Sequence, residues 1–144
     1  MIRFAYEESI GASPAEVFAV MSDVTRFADW LAMDGRLVNG SPTRLGSTFE
    51  STGKMGPWTV RGRGEVTRFE PERAFGFTMI APNAFDFELA IELFPTPFGT
   101  RLAGSGSMTT HRFWRLLEPL LRSEVPKGEI AEAQRLKAVV EAAR

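Results

Sequence analysis

The stretch WTVRGRGEVTRF, residues 58–69, together with FDFELAIELF, residues 85–94, decides the fold class. In the first, Trp58, Val60, Gly62, Gly64 and Val66 alternate with Thr59, Arg61, Arg63, Glu65 and Thr67. In the second, Phe85, Phe87, Leu89, Ile91 and Leu93 alternate with Asp86, Glu88 and Glu92. A period of two, apolar against charged, is the signature of strands with one face buried and the other in water. Between and beyond these runs, Phe75, Phe77 and Met79 oppose Thr78, and Leu102, Gly104, Gly106 and Met108 oppose Arg101, Ser105 and Ser107. The pattern predicts strands over residues 46–52, 58–69, 74–80, 85–94 and 100–108, preceded by a first strand over 2–10 and a short one over 35–38. Turn residues separate them at Asn39-Gly40-Ser41-Pro42, Gly53-Lys54-Met55-Gly56-Pro57, Pro71-Glu72-Arg73 and Pro95-Thr96-Pro97-Phe98-Gly99. Linkers this short join antiparallel neighbours, so the chain should form a meander.

Four glycines, Gly62, Gly64, Gly104 and Gly106, fall on the apolar face. Glycine inside a strand marks a bend or the close approach of another group. Such positions fit sheet curvature or tight packing, and they also fit room left for a ligand.

Two helical regions flank the sheet. Ser13-Pro14-Ala15-Glu16 places serine at an N-cap, proline at N1 and glutamate at N3, which is a capping box. That helix would turn Val17, Phe18 and Met21 inward and stop near Ser22, where Asp23 can cap a second short helix carrying Phe27 and Trp30. These two helices are expected to form a lid over residues 27–33, and exposed Phe27, Trp30, Leu31 and Met33 there would suit a protein partner. From Arg112 to Arg144 the apolar period lengthens to that of a helix, with Phe113, Leu117, Leu120 and Leu121, then Ile130, Ala133, Leu136 and Val140. Pro119 predicts a bend in this tail, and Val125-Pro126-Lys127-Gly128 a bend or short break, with a second helical segment running from Glu129.

Composition narrows the function. A chain of 144 residues suits a single domain, here expected over 1–144. It has no cysteine, so disulfides and thiolate metal sites are excluded and a reducing compartment fits. Its 17 basic and 18 acidic side chains argue against nucleic-acid binding. The first residues carry acids where a signal peptide has its apolar run, and no stretch reaches the ~20 apolar residues of an integral membrane segment. A cytoplasmic protein is expected. Twelve Phe and three Trp accompany one Tyr, so the aromatic surface is almost wholly apolar, suited either to a core or to a ring-lined cavity.

No catalytic constellation is visible. The single histidine, His111, has no cysteine to activate and too few companions for a metal site. No phosphate loop occurs, and neither a metal nor a cofactor is expected. Glu50 and Asp86 have outward parity, and Arg61, Arg63 and Arg101 read as cross-strand partners of Glu65, Glu88 and Glu92.

The runs Ser13-Pro14-Ala15-Glu16-Val17-Phe18, Ser22-Asp23-Val24-Thr25-Arg26-Phe27-Ala28-Asp29-Trp30, and Gly64-Glu65-Val66-Thr67-Arg68-Phe69-Glu70-Pro71-Glu72-Arg73 carry a resemblance. So do Gly99-Thr100-Arg101-Leu102 and Arg135-Leu136-Lys137-Ala138-Val139-Val140-Glu141. In this order they resemble the START-like, birch-pollen-allergen-like (SRPBCC) superfamily, including its polyketide cyclase/dehydratase-like proteins, over nearly the whole chain. The resemblance implies an α+β helix-grip fold: a curved antiparallel sheet of about seven strands around a long C-terminal helix, with two short helices between strands 1 and 2. It also implies a cavity between sheet and tail.

Three functions follow. The first is binding of an apolar or amphipathic small molecule, lipid-, polyketide- or quinone-like, with Trp30, Phe49, Trp58, Phe77, Phe85, Phe87, Met108, Leu117 and Leu121 as ligand-binding candidates. The second is a cyclase/aromatase or dehydratase, which would need an inward polar group such as Glu50, Thr78, Arg101 or His111. The third is a protein–protein module docking through the lid.

Overall fold

In the computed structural model, which describes residues 1–144, seven strands build one sheet. They are β1 (Ile2–Ile10), β2 (Arg36–Leu37), β3 (Thr48–Met55), β4 (Trp58–Glu70), β5 (Ala74–Ala81), β6 (Phe85–Thr96) and β7 (Gly99–Thr110). Their order across the sheet is β1-β7-β6-β5-β4-β3-β2, every pair antiparallel. Strands β2 to β7 form the meander that the short turns require, and β1 joins the free edge of β7 with Ile2 opposite Met108 and Ile10 opposite Thr100.

The hairpins run further than the turn residues suggest. Met55 pairs with Trp58, so the turn contracts to Gly56-Pro57 and Gly53, Lys54 and Met55 belong to β3. Thr96 pairs with Gly99, which carries Pro95 into β6. Ladder hydrogen bonds outweigh the local turn preference of Gly53 and Pro95 because each strand already has a partner on its other side or a solvated edge.

On β4 the register slips between Val66 and Arg68. A bulge there gives the strand an extra residue and bends it. Val66 and Phe69 can then both face inward, opposite Phe77 and Phe75. Phe69 packs edge-on against Phe18, with ring centroids 5.2 Å apart.

The space at the inward glycines is taken by the protein's own atoms, Met79 at Gly62 and rings at Gly64, Gly104 and Gly106. A Cβ at Gly64 would collide with the Phe49 ring, and one at Gly104 with Tyr6. These strands therefore use glycine to let aromatic side chains lie flat on the sheet, and the expectation of ligand space at these positions is corrected.

Between β1 and β2 come α1 (Pro14–Met21), a 3-10 turn (Val24–Arg26) and α2 (Phe27–Trp30). The capping box is formed: Glu16 N–H donates to Ser13 Oγ and Ser13 N–H to Glu16 Oε1, both at 3.2 Å. Asp23 Oδ1 accepts from Thr25 N–H at 3.0 Å. These short helices are no exposed lid. Phe27 and Trp30 are 0% exposed and Leu31 is buried. Phe27 stands at the centre of a ring cluster, 5.5 Å from Phe49 and 5.3 Å from Phe77. A docking surface made of residues 27–33 is thus corrected to an aromatic plug, because only apolar burial holds such short helices in place.

The tail consists of α3 (Phe113–Leu116) and α4 (Glu118–Ala142). Pro119 sits in the first turn of α4, where its missing N–H costs nothing. Pro126 lies inside the helix, and the expected break at residues 125–128 does not occur. An interior proline costs ~3 kcal/mol. Leu121, Val125, Ala133, Leu136 and Val140 are all buried around it, at ~1.5–3 kcal/mol for each fully buried large aliphatic side chain. Burial on both sides outweighs the lost hydrogen bond. The buried stripe also differs from the expected one: Ile130 is 43% exposed, and its neighbour Glu129 takes the inner position at 6%.

Two glycine substitutions separate these effects. Gly64→Ala should destabilise the fold by ~1–3 kcal/mol, since the rigid Phe49 ring must move. Gly128→Ala, where an added Cβ meets nothing within 4 Å, should stabilise α4 by ~0.5–1 kcal/mol. Urea unfolding midpoints measure both.

Candidate functional site

Helix α4 rests on β1, α1 and α2, and it bridges the middle strands of the sheet without lying on them. The aromatic plug of α2 fills the space at one end. At the other a cavity of about 520 Å³ remains, walled by β3 to β7, α3 and α4. Trp58, 42% exposed, and Leu120 stand on its wall and reach solvent, which marks the mouth. Trp58 packs edge-on against Trp114 at 5.4 Å, and Trp114 against Phe85 at 6.4 Å, giving that end an aromatic wall.

Of the nine residues singled out from the sequence, Trp58, Phe77, Phe85, Phe87, Met108, Leu117 and Leu121 line this cavity. Trp30 and Phe49 do not. Both belong to the plug, Phe49 over Gly64 and Trp30 edge-on to Phe27 at 6.2 Å, so the sheet's inner face is divided between core and cavity. Parity along a strand cannot show where that division falls. Trp114, missed in the tail pattern, closes the aromatic wall, while Phe113 is exposed.

None of the four polar candidates for catalysis, Glu50, Thr78, Arg101 and His111, reaches the cavity. His111 Nε2 lies 3.2 Å from Asp86 Oδ2 on the exposed side, a pairing that the β6–β7 register creates across 25 residues of chain. Arg101 donates to Glu7 at 2.9 Å and covers the Phe94 ring at 4.2 Å.

The polar groups on the wall come instead from β3 and α4: Ser51, Lys54, Glu124, Glu129, Glu132 and Arg135. Most are engaged elsewhere. Ser51 Oγ donates to Met79 Sδ at 3.0 Å, Lys54 Nζ to Thr59 Oγ1 at 2.8 Å and Arg135 Nε to the Trp30 carbonyl at 3.0 Å. Glu132 Oε2 accepts from Ala32 N–H at 2.7 Å. Glu129 is the exception, because its buried Oε1 has no hydrogen-bond partner. Burial first, then a hydrogen bond to Glu132 and the negative charge there, push the Glu129 carboxyl up to about 10, against a smaller opposing pull from Arg135. The Tyr6 phenol is also pushed up, by burial and by the nearby Glu129 and Glu132 charges. At neutral pH Glu129 is a neutral acid inside an apolar wall.

Glu129 was legible in principle. Leu121, Val125 and Ala133 recur at steps of four, and the step between Val125 and Ala133 falls on residue 129. Reading the stripe through Ile130 instead followed hydrophobicity and lost the phase.

The sequence profile of the family described as polyketide cyclase / dehydrase and lipid transport matches residues 1–141. No curated protein matches the sequence. Among solved structures, TTHA0849 from Thermus thermophilus is similar at 18% identity with a TM-score of 0.80, over 98% of each chain. The Zhui aromatase/cyclase from Streptomyces sp. R1128 is similar at 12% identity with a TM-score of 0.81, over 96% of this chain and 93% of that one. Protein CV1439 from Chromobacterium violaceum matches at 16% identity and a TM-score of 0.75, over 98% of this chain and 99% of that one.

The raised Glu129 carboxyl makes stability pH-dependent with a definite sign. In the unfolded chain the group ionises near 4.5 and in the folded chain at about 10, so its contribution is fully retained below the lower value and falls as pH rises between the two. Glu129→Gln removes this titration. Wild type should therefore lose stability relative to Glu129→Gln from pH 5 to pH 9, with a slope of up to ~1.4 kcal/mol per pH unit, as read from urea midpoints across that range.

Proposed function

The chain belongs to the polyketide cyclase / dehydrase and lipid transport family, and we propose that it holds a largely apolar or amphipathic small molecule in the cavity beneath α4. Lipid-like, polyketide-like and quinone-like molecules share the required chemistry, a broad hydrocarbon or ring surface with little charge. The observation that carries the proposal is the persistence of about 520 Å³ of apolar-walled space beside a core packed with the protein's own aliphatic and aromatic side chains. Typical ligand pockets span ~300–1,000 Å³ and are lined mainly by apolar and aromatic side chains with a few polar groups.

The energetics favour an apolar guest. Space between Phe77, Phe87, Met108 and Leu121 offers water no partners, and such cavities take apolar molecules readily. A guest burying ~250 Å² of apolar surface gains ~6 kcal/mol from that term alone, before the costs of immobilisation are subtracted. The partly exposed Trp58 and Leu120 give the guest an apolar path from solvent. The aromatase/cyclase of the same fold lends no chemistry at 12% identity, and the polar groups on this wall form no nucleophile–base pair.

The probe N-phenyl-1-naphthylamine tests this reading. It should bind wild type with one-to-one stoichiometry and a large gain in fluorescence. Gly128 lies on the cavity wall with open space beyond its Cα. Gly128→Phe should therefore occupy the site and weaken binding at least ~10-fold, the effect of ~1.4 kcal/mol, while leaving the circular dichroism spectrum unchanged. Absence of probe binding to wild type would defeat the proposal, as would equal affinity in the variant.

A further inference from the structure

The cavity is not uniformly apolar, and its one unpaired polar atom is informative. Glu129 Oε1 is buried, lies on the cavity wall and has no hydrogen-bond partner. Buried polar atoms are almost always paired, so an unpaired one on a residue of the cavity wall points to a partner that arrives from outside.

The surroundings explain why the protein supplies no donor to Oε1. On α4, Glu132 is already an acceptor for Ala32 N–H, and Arg135 Nε is committed to the Trp30 carbonyl. From β3, Lys54 Nζ is held by Thr59 Oγ1 and Ser51 Oγ by Met79 Sδ. From β1, Tyr6 brings a phenol close enough for the two acids to act on it. The helix backbone around Glu129 uses its own N–H groups in the α4 ladder. No cation faces Glu129 at close range apart from Arg135, and a second carboxylate stands beside it.

We propose that Glu129 sets the ligand selectivity of this cavity: its carboxyl accepts a hydrogen bond from a hydroxyl or N–H on an otherwise apolar, uncharged guest, and the apolar lining disfavours guests that end in a carboxylate. The inference rests on the cavity being a binding site and adds the polarity of what enters it. A neutral carboxyl has both a donor and an acceptor function. Glu132, with its carboxylate lone pairs, takes the donated proton of Glu129, which leaves an acceptor for the guest. A guest carboxylate would have to give up its hydration in a space lined mainly by apolar side chains.

Three matched probes separate the claims: 4-butylphenol, butylbenzene and 4-butylbenzoate, titrated at pH 7 by isothermal calorimetry against wild type, Glu129→Leu and Glu129→Gln. Wild type should bind the phenol about 10-fold more tightly than butylbenzene, the worth of one buried hydrogen bond, and the benzoate most weakly. Glu129→Leu has no polar atom to satisfy and should still bind butylbenzene, with the phenol advantage reduced to less than about threefold. Glu129→Gln keeps a carbonyl acceptor and should keep most of the advantage. Equal affinity of wild type for phenol and butylbenzene overturns the role of Glu129, as does an advantage that survives in Glu129→Leu or a benzoate that binds best. If none of the three binds wild type, the cavity itself is not a binding site and the selectivity proposal falls with it.

Discussion

Helix α4 presents one buried stripe, and that stripe must serve supports of unequal height. Toward β1, α1 and α2 it makes close contact, while over β3 to β6 it spans a sheet that bends away at the β4 bulge and is deepest where no plug residue stands. The side chains of Leu121 and Val125 reach toward that depth without filling it. A rigid rod on a curved surface cannot touch everywhere, and 25 residues of continuous helix form a rigid rod. The continuity of α4 across Pro126 gives that rod its full length.

The plug sets the limits of the hollow. Phe27 and Trp30 come from a helical insertion too short to be stable alone, and they are held by rings contributed by β3 and β5. Phe49 reaches its place in this cluster only because Gly64 has no Cβ, so the glycines and the excess of phenylalanine are two parts of one packing solution. The same aromatic chemistry that closes one end lines the other, where Trp58, Trp114 and Phe85 meet edge to face without consuming the space between them.

Placing Glu129 in the stripe runs against the economy of the rest of the interior. An apolar side chain there would pack against Leu121, Val125 and Ala133 at no desolvation cost, whereas the carboxyl must give up its charge to remain. A buried carboxyl raised in this way on a cavity wall is a candidate functional group. The family to which the chain belongs is described by polyketide cyclisation or dehydration and lipid transport.

The seven strands, the antiparallel meander, the capped first helix and the long tail helix were all legible, because each depends on local periodicity or on turn and cap chemistry within a few residues. Of the nine candidates, Trp58, Phe77, Phe85, Phe87 and Met108 reached the wall through strand parity, and Leu117 and Leu121 through the helical period of the tail. Three things were decided only by the tertiary structure. Whether an inward side chain is core or wall depends on what stands opposite, so Trp30 and Phe49 became plug while Trp58 and Leu121 became wall. Whether Pro126 interrupts its helix depends on the burial gained on either side of it. Whether Glu129 or Ile130 faces inward depends on the rotational phase of α4, which is set by its contacts with β1 and α2, elements far from it in sequence.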